Sequence, residues 1–439
     1  MLCQLAVKAI SYGSSTLILK HCSAGELGIV SMRLELYFIA LLFFGREALK
    51  NGNSFICCFT NALCGGVPLL LYHLHFGGKE WEGKQLAKAF GLYSVAALLE
   101  LVSDVARVLV GMEKFRVEMI SFVAKHLSLI LFILARGRIS VLFAFALSQI
   151  VSSLVYGALV LAFGVSVEKT VVPLRLSIQQ SYLKFLLCNG EAIVCSFFLS
   201  SAAEQGTFSL MASYASTISK VVVFPLEETA KAKIAHFNLE KDSLASFESS
   251  FNALVVTAAS IGCLGFFYSN SLLYLLLGRD SVLSNANLFS LHCFLIYLHS
   301  IHSVLNAFGH CRILPRTMQK LLLLCNVAFF SCALSLVHRL GGMAILIANA
   351  LVLGVKIGFW LFFLTRVKPL KGLKAKQIIL PIKFQRFILV FWVSFASKLL
   401  LSDGKEFKRN VLHLSIGGLC AAFLAFGPSV SVLPRGPKV

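Results

Sequence analysis

The sequence predicts an all-α protein that crosses a membrane repeatedly, with about fourteen transmembrane helices. Hydrophobic residues make up 58% of its 439 residues and charged residues only 14%, whereas soluble domains carry about 25% charged residues. The mean hydropathy of +0.83 reflects an apolar excess over the chain as a whole. Apolar stretches recur at the length of a bilayer crossing, about 20 residues. The connections between them are too short for a separate soluble domain.

The candidate crossings follow one another along the whole chain. They lie near residues 2–20, 33–49, 54–76, 86–111, 117–135, 139–163, 182–201, 207–225, 251–277, 286–310, 320–338, 341–365, 380–400 and 410–428. The first is interrupted by Lys8 and the second carries several charges, so the expected number of helices is about twelve to fourteen.

Two polar segments divide these crossings into groups. They lie near residues 165–180 and 366–383. We therefore expect a six-helix lobe over residues 1–164, a second six-helix lobe over 165–366, and a basic cytosolic linker with a terminal helix pair over 367–439. Two similar lobes that face each other across a midplane cavity are a common transporter plan.

The chain is strongly basic, with 40 Lys and Arg against 20 Asp and Glu and a net charge of +20. These basic residues lie in short gaps between apolar stretches, which favours anionic lipid headgroups as partners and argues against nucleic acid. The gaps on one side of the membrane hold more basic residues than those on the other side. The gap with the most basic residues holds Arg366, Lys368, Lys371, Lys374, Lys376 and Lys383. The positive-inside rule then places both termini in the cytosol.

No motif predicts covalent chemistry. The 13 cysteines are scattered and form no C-x-x-C pair, and no P-loop, nucleophile elbow or H-E-x-x-H motif occurs. His292, His299, His302 and Asn306 share one helical stripe, which we interpret as a hydrogen-bonding or pore-lining face, with a metal site as the alternative. We expect no enzyme, no cofactor and no metal.

The fourth crossing carries three charges on one helical face, Glu100, Asp104 and Arg107. Two carboxylates one turn apart in a low dielectric tend to share a proton, which favours a role in proton or cation coupling. The alternative is an internal pair between Asp104 and Arg107, with Arg107 reaching to the cytosolic end.

The second crossing holds Arg33, Glu35, Arg46 and Glu47. Glu35 and Arg46 are about three turns apart and project from nearly the same face. A guanidinium forms bidentate hydrogen bonds with phosphate, so both arginines are candidates for phosphate binding. Alternatively, they anchor the two ends of the helix.

A further polar group surrounds Pro225. Lys220 and Glu227 are seven residues apart on one face, and Glu227 is followed by Glu228. Because proline kinks or ends a helix, this region is a candidate hinge or gate, and a simple polar helix end is the alternative.

Several of these residues lie in short motifs that occur in a fixed order. The motifs are Gly28-Ile-Val-Ser-Met-Arg33-Leu-Glu35-Leu-Tyr37, Gly45-Arg46-Glu47-Ala48, Leu98-Leu-Glu100-Leu, the segment from Gln180 to Glu191, Glu204-Gln205-Gly206 and Pro225-Leu-Glu227-Glu228. Together they resemble the Rft family, over most of the chain to about residue 310. Asn306 departs from that pattern, which usually has an acidic residue there, and the chain starts within the family's first helix.

The resemblance implies a function in the endoplasmic reticulum, within the superfamily of multidrug, oligosaccharidyl-lipid and polysaccharide exporters. It implies translocation of a dolichol-diphosphate-linked oligosaccharide from the cytosolic to the lumenal leaflet, for protein N-glycosylation. The expected diphosphate contacts are Arg33, Arg46 and Lys220, and the expected cavity or gating residues are Glu35, Glu47, Glu100, Asp104, Arg107, Glu191, Glu227 and Glu228.

Three alternatives stay open. A non-transporting accessory factor would hold or hand over the same glycolipid. A drug or metabolite antiporter of the same superfamily would use Glu100 and Asp104 as coupling acids. A membrane-embedded glycosyltransferase would need acidic residues in a sizeable lumenal loop, and the predicted loops are short.

Overall fold

A computed structural model describes residues 22–50, 55–77, 83–106, 111–134, 140–164, 174–199, 201–235, 241–277, 286–310, 315–366, 384–401 and 407–426. All regular structure within these ranges is helical, which confirms the all-α class. The first predicted crossing lies outside the described residues. Every later one overlaps a helix.

The helices follow the apolar stretches closely. In chain order they are α1 (Ala24–Gly28), a π-helical turn π1 (Ile29–Leu34), α2 (Glu35–Lys50), α3 (Phe55–Gly77), α4 (Gly83–Ala106), α5 (Gly111–Leu134), α6 (Val141–Phe163), α7 (Leu174–Phe198), α8 (Ala202–Ile218), a second π-helical turn π2 (Ser219–Val223), α9 (Phe224–Ala235), α10 (Lys241–Leu277), α11 (Ala286–His310), α12 (Pro315–Leu340), α13 (Gly342–Arg366), α14 (Phe384–Leu401) and α15 (Phe407–Phe426).

Within the described part of the chain, nine helical segments are long and apolar enough to cross a membrane. Two of them combine several elements: Ala24–Leu49 runs through α1, π1 and α2, and Ala202–Lys231 runs through α8, π2 and most of α9. The number of crossings in the whole chain stays a prediction.

Local sequence signals set some helix ends. Ser23 and Glu26 form a capping box at the start of α1, in which the Ser23 hydroxyl accepts from the Glu26 N–H at 3.2 Å and the Glu26 carboxylate accepts from the Ser23 N–H at 2.8 Å. Gly341 joins α12 directly to α13 with φ of +54°. Glycine is favoured there because it adopts left-handed backbone angles without strain.

The chain divides into two compact units. The first unit comprises Met1–Leu210 and Phe330–Ile345, and the second comprises Met211–Phe329 and Leu346–Val439. The lobe boundaries expected near residues 164 and 366 stay a prediction.

In the first unit, α2 occupies the centre and packs against α3, α4 and α7. Its aromatic side chains form edge and tilted ring contacts, with Tyr37 5.2 Å from Phe90 and Phe44 5.2 Å from Phe185 between ring centroids. This packing fixes the helix that carries the predicted arginine and carboxylate residues.

In the second unit, α10 packs against α9, α11, α14 and α15. The Tyr268 hydroxyl lies 3.3 Å from Ser394 and 3.1 Å from Ser397, and its ring lies against His413. The terminal pair α14 and α15 is therefore attached to α10 by buried polar contacts.

Candidate functional site

Three helices of the first unit meet around Arg46. The guanidinium donates through Nε to Asp104 Oδ2 at 2.7 Å and through Nη2 to Glu100 Oε2 at 3.0 Å. Arg46 comes from α2 and both carboxylates come from α4. The two acids lie one turn apart on a shared face, as predicted, so one guanidinium reaches both.

Helix α6 completes this network. The Ser153 hydroxyl donates to Glu100 Oε1 at 2.9 Å, and the Tyr156 hydroxyl donates to Asp104 Oδ1 at 2.7 Å. The Arg46 guanidinium also lies 5.6 Å from the centroid of the Tyr156 ring. Each carboxylate oxygen thus accepts one hydrogen bond, which holds both acids in a defined position.

Sequence reasoning missed the contribution of α6, although a signal for it was present. This apolar helix carries buried polar side chains at helical spacing, namely Ser148, Gln149, Ser152, Ser153 and Tyr156. Polar side chains buried in a membrane helix usually face partners on neighbouring helices. Such a stripe identifies the face that meets the charges of α4.

The network leaves part of Arg46 accessible. Its side chain is 37% exposed, against 10% for Glu100 and 16% for Asp104. Nη1 has no hydrogen-bond partner among the described residues. The guanidinium is therefore held on one side by two carboxylates and can donate on the other side to a ligand oxygen.

Arg33 is held by a different partner. It lies in π1 and is only 7% exposed. Its Nε donates to Gln205 Oε1 at 3.2 Å, while Gln205 Nε2 donates to the carbonyls of Ser196 at 3.2 Å and Leu199 at 3.3 Å. Gln205 thus connects π1 to the C-terminal end of α7 and satisfies carbonyls that a helix end leaves open.

A close contact at two glycines sets the spacing of helices α1 and α8. A Cβ on Gly206 would lie 1.8 Å from the Ala24 carbonyl oxygen, and a Cβ on Gly28 would lie 1.9 Å from the Ala202 carbonyl oxygen. Only glycine permits the α1 and α8 backbones to approach this closely. Both glycines belong to the motifs quoted above, so the structure brings the two motifs together.

The remaining predicted residues of the first unit have separate surroundings. Glu35 accepts from the Lys125 ammonium of α5 at 2.9 Å, so Glu35 and Arg46 pair with different helices although they project from one face. Glu47 is buried and Glu191 is half-buried. Arg107 lies outside the described residues, and the ion-pair partner that the structure shows for Asp104 is Arg46.

In the second unit, the predicted acidic pair contacts a lysine of the same helix. Lys231 lies 2.6 Å from Glu227 and 3.3 Å from Glu228, and Ser303 of α11 donates to Glu227. Lys220 is exposed within π2. Pro225 does not end this helix: π2 directly precedes it, and the wider π turn accommodates the missing N–H.

The histidine stripe lies on α11, where His292 is buried. Among the described residues, no group of three or more His, Cys, Asp or Glu side chains is arranged to hold a metal ion.

A cavity of about 240 Å³ lies within the second unit, between α8, α10, α11 and α15. It is lined by Ile218, Ile261, Leu264, Leu272, Phe289 and other mainly apolar groups. This lining offers few partners to a sugar or a phosphate.

Comparison with known proteins finds a matching family model and two related sequences. The family model described as Rft protein matches residues 167–427. The chain is 22% identical over 267 residues to the Man(5)GlcNAc(2)-PP-dolichol translocation protein RFT1 of Mus musculus, an alignment that covers 55% of this chain and 48% of that protein. The same-named protein of Xenopus tropicalis is 24% identical over 269 residues, with 55% and 48% coverage. The chain thus spans about half the length of the curated relatives it matches.

A solved structure is similar over almost the whole chain. The lipid II flippase MurJ, in an inward closed conformation, aligns with a TM-score of 0.61 over 97% of both chains. The sequence identity is 11%, so this likeness shows a shared fold and carries no residue roles.

Proposed function

Since the chain belongs to the Rft protein family, whose model matches more than half of it, we propose that it translocates a dolichol-diphosphate-linked oligosaccharide. The proposed direction is from the cytosolic to the lumenal leaflet of the endoplasmic reticulum membrane, for protein N-glycosylation. In this proposal both termini are cytosolic, and the basic connections contact anionic lipid headgroups.

Two comparisons support this substrate class. The aligned curated relatives are named for translocation of a dolichol-linked oligosaccharide. The aligned solved structure is named for flipping lipid II. The first name specifies a lipid-linked oligosaccharide and the second a lipid, and the fold of this chain is similar to that of the flippase.

The observation that carries the proposal is the arrangement at Arg46. A diphosphate cannot cross a hydrocarbon core without groups that replace its water shell. Arg46 lies inside a membrane helix, is oriented by Glu100 and Asp104, and keeps one side accessible. A cation fixed in this way is organised before a ligand arrives, which lowers the cost of binding.

The other predicted residues complete the proposal. Arg33 and Lys220 are the further cationic candidates for the diphosphate. Glu100 and Asp104 both contact the Arg46 guanidinium, so the network combines two acids with one cation. Lys220, Glu227 and Glu228, on the helix that passes through π2 and Pro225, form the proposed hinge.

The presence of two carboxylates around the single arginine Arg46 also favours a second candidate function. An antiporter couples transport to proton or cation movement, and two acids around one arginine suit that chemistry. In a drug or metabolite antiporter, Glu100 and Asp104 would exchange protons while the substrate would be neither a glycolipid nor a phosphate. A non-transporting accessory factor would bind the glycolipid without moving it.

Complementation in cells tests the proposal. The chain is expressed in eukaryotic cells depleted of their own family member, and the lipid-linked oligosaccharides and the occupancy of N-glycosylation sites are measured. The proposal expects normal occupancy and no accumulation of the cytosolic-facing intermediate. An unchanged glycosylation defect, with the chain present in the membrane, would contradict it.

A further inference from the structure

One lysine of the second unit lies near the middle of a membrane helix. Lys356 belongs to α13, Gly342–Arg366, and no other residue between the first and last of that helix is charged. At 1.5 Å per residue, it lies about 20 Å from one end of α13 and about 15 Å from the other. Lys356 is not among the candidate residues expected from the sequence, although a lone lysine in an apolar stretch is a signal.

The position of Lys356 on α13 places it on the packed side of the helix. Val352, Leu353 and Trp360, which lie within about 60° of it around the helix axis, are 7%, 2% and 0% exposed. The opposite face carries Leu351 and Phe362, which are 57% and 59% exposed. Lys356 itself is half-buried, so it faces protein and does not simply extend along a lipid-facing surface.

Within the part of the chain that the structure describes, no carboxylate forms an ion pair with Lys356. It lies within electrostatic range of His299 on α11 and Cys325 on α12. Among the described residues, neither Lys356 nor His299 has a hydrogen bond or an ion pair. The Glu227 carboxylate also lies within electrostatic range of His299. This carboxylate is already bound by Lys231 and Ser303.

An ionised group within a membrane helix is costly and usually serves a ligand or a pathway. His299 is exposed and, like Lys356, lies near the middle of its helix. An ammonium binds phosphate as a point charge, and an imidazole N–H adds a directed donor. We propose that Lys356 and His299 form a binding site for a phosphoryl group within the second unit.

The natural ligand follows from the depth of the site, and here the inference rests on the proposed function. Phosphoryl groups in membranes belong to phospholipid headgroups or to lipid-linked diphosphates. Headgroups remain at the surface, about 15 Å from the centre of the hydrocarbon core. A group that meets a mid-helix lysine is therefore in transit, which assigns the site to the diphosphate of the translocated lipid.

Binding of a short polyprenyl diphosphate tests this site. The full chain is purified into nanodiscs of neutral phosphatidylcholine, and the affinity for farnesyl diphosphate is measured against farnesol as the uncharged control. We expect Lys356→Met to weaken farnesyl diphosphate binding about tenfold or more, since a charge-assisted contact is lost. Lys356→Arg should retain most of the affinity, and farnesol binding should not change.

Lys398 supplies a matched control. It is also a lysine in an apolar helix, but its ammonium donates to the Phe266 carbonyl at 3.3 Å and lies 5.0 Å from the Phe266 ring centroid. Lys398→Met should leave the affinity unchanged. Equal binding by wild type and Lys356→Met would overturn the site, as would an equal loss in both methionine variants. If Lys356→Met does not accumulate, His299→Ala provides the test, with weaker binding expected and unchanged binding contradicting the site.

Two further measurements identify the source of the phosphate and test the proposed function independently of the site. In nanodiscs that contain anionic phosphatidylserine, the measurement shows whether lipid headgroups compete with farnesyl diphosphate for the site. If headgroups compete in wild type and not in Lys356→Met, the phosphoryl site is supported, but its assignment to a lipid in transit is overturned. N-glycosylation in cells reports the proposed function separately. Weak farnesyl diphosphate binding with normal N-glycosylation in Lys356→Met would retain the binding site and contradict its role in translocation.

Discussion

Nε of Arg33 donates to Oε1 of Gln205 at 3.2 Å, although 172 residues separate them in the chain. The amide of Gln205 has only one favourable orientation, because its nitrogen donates to the carbonyls of Ser196 and Leu199. A reversed amide would place its oxygen against two carbonyl oxygens and its nitrogen against a guanidinium. The guanidinium of Arg33 is therefore positioned by the end of helix α7.

Replacement of Gln205 by leucine tests this connection. Gln205→Leu keeps a similar side-chain volume but removes the acceptor of Arg33 Nε and the donor to two carbonyls. Each buried group left without its partner costs about 1–3 kcal/mol, so we expect a lower unfolding temperature in detergent and lower abundance in the membrane. Glu204→Gln, at the exposed neighbouring position, should change stability by less than about 0.5 kcal/mol. Equal stability of Gln205→Leu and wild type would contradict this role.

The contact of α1 with α8 gives a second prediction. In Gly206→Ala, the new methyl group would lie 1.8 Å from the Ala24 carbonyl oxygen, so the two helices must separate. We expect a loss of about 1–3 kcal/mol of stability, measured as thermal unfolding of the purified protein. Gly25→Ala is the control, because no described residue beyond its own helix lies within 4 Å of its new methyl group. The contact is refuted if both variants unfold like wild type.

A substitution of Glu100 tests whether this acid has a functional or a structural role. Glu100→Gln keeps the shape of the side chain and leaves Arg46 paired with Asp104, while the charge that Glu100 carries is removed. We expect normal abundance and reduced N-glycosylation in complemented cells, because the network can no longer exchange a proton at this position. The comparable variant of an exposed acid, Glu118→Gln, should behave like wild type. Normal glycosylation with Glu100→Gln would remove this acid from the mechanism.

The predicted orientation depends on the distribution of basic residues. Engineered N-glycosylation sequons in the connections at residues 78–84 and 402–408 should be glycosylated, because these connections face the lumen in the predicted topology. A sequon near Lys371, in the connection richest in basic residues, should remain unmodified. The residues around Lys371 lie outside the described part of the chain, so the experiment tests the sequence argument directly. Modification near Lys371 would reverse the orientation.

The helices were predictable from the sequence because hydropathy is a local property. The helices overlap every predicted crossing that falls within the described residues, and Glu100 and Asp104 share one face as their spacing requires. The π turns were not predictable. They add one residue to a helical turn without a sequence signature, and π2 explains why the helix continues through Pro225.

Side-chain partners were the part that the sequence did not determine. Arg46 bonds to acids 54 and 58 residues away, and Glu35 bonds to Lys125, 90 residues away. Such pairs depend on which helices become neighbours, and helical spacing within one segment carries no information about that. The sequence therefore identified charged residues that need partners, and the packing of the helices chose the partners.

The most direct test of the proposed translocation uses vesicles that contain only the purified chain. A labelled dolichol-diphosphate oligosaccharide is placed in one leaflet, and its appearance in the other leaflet is followed with a glycan-binding probe. We expect rapid movement with wild type and slow movement with Arg46→Lys, because lysine cannot reproduce hydrogen bonds to Glu100 and Asp104 from two separate nitrogens. If vesicles with properly inserted wild type move the glycolipid no faster than protein-free vesicles, the chain is not the translocator.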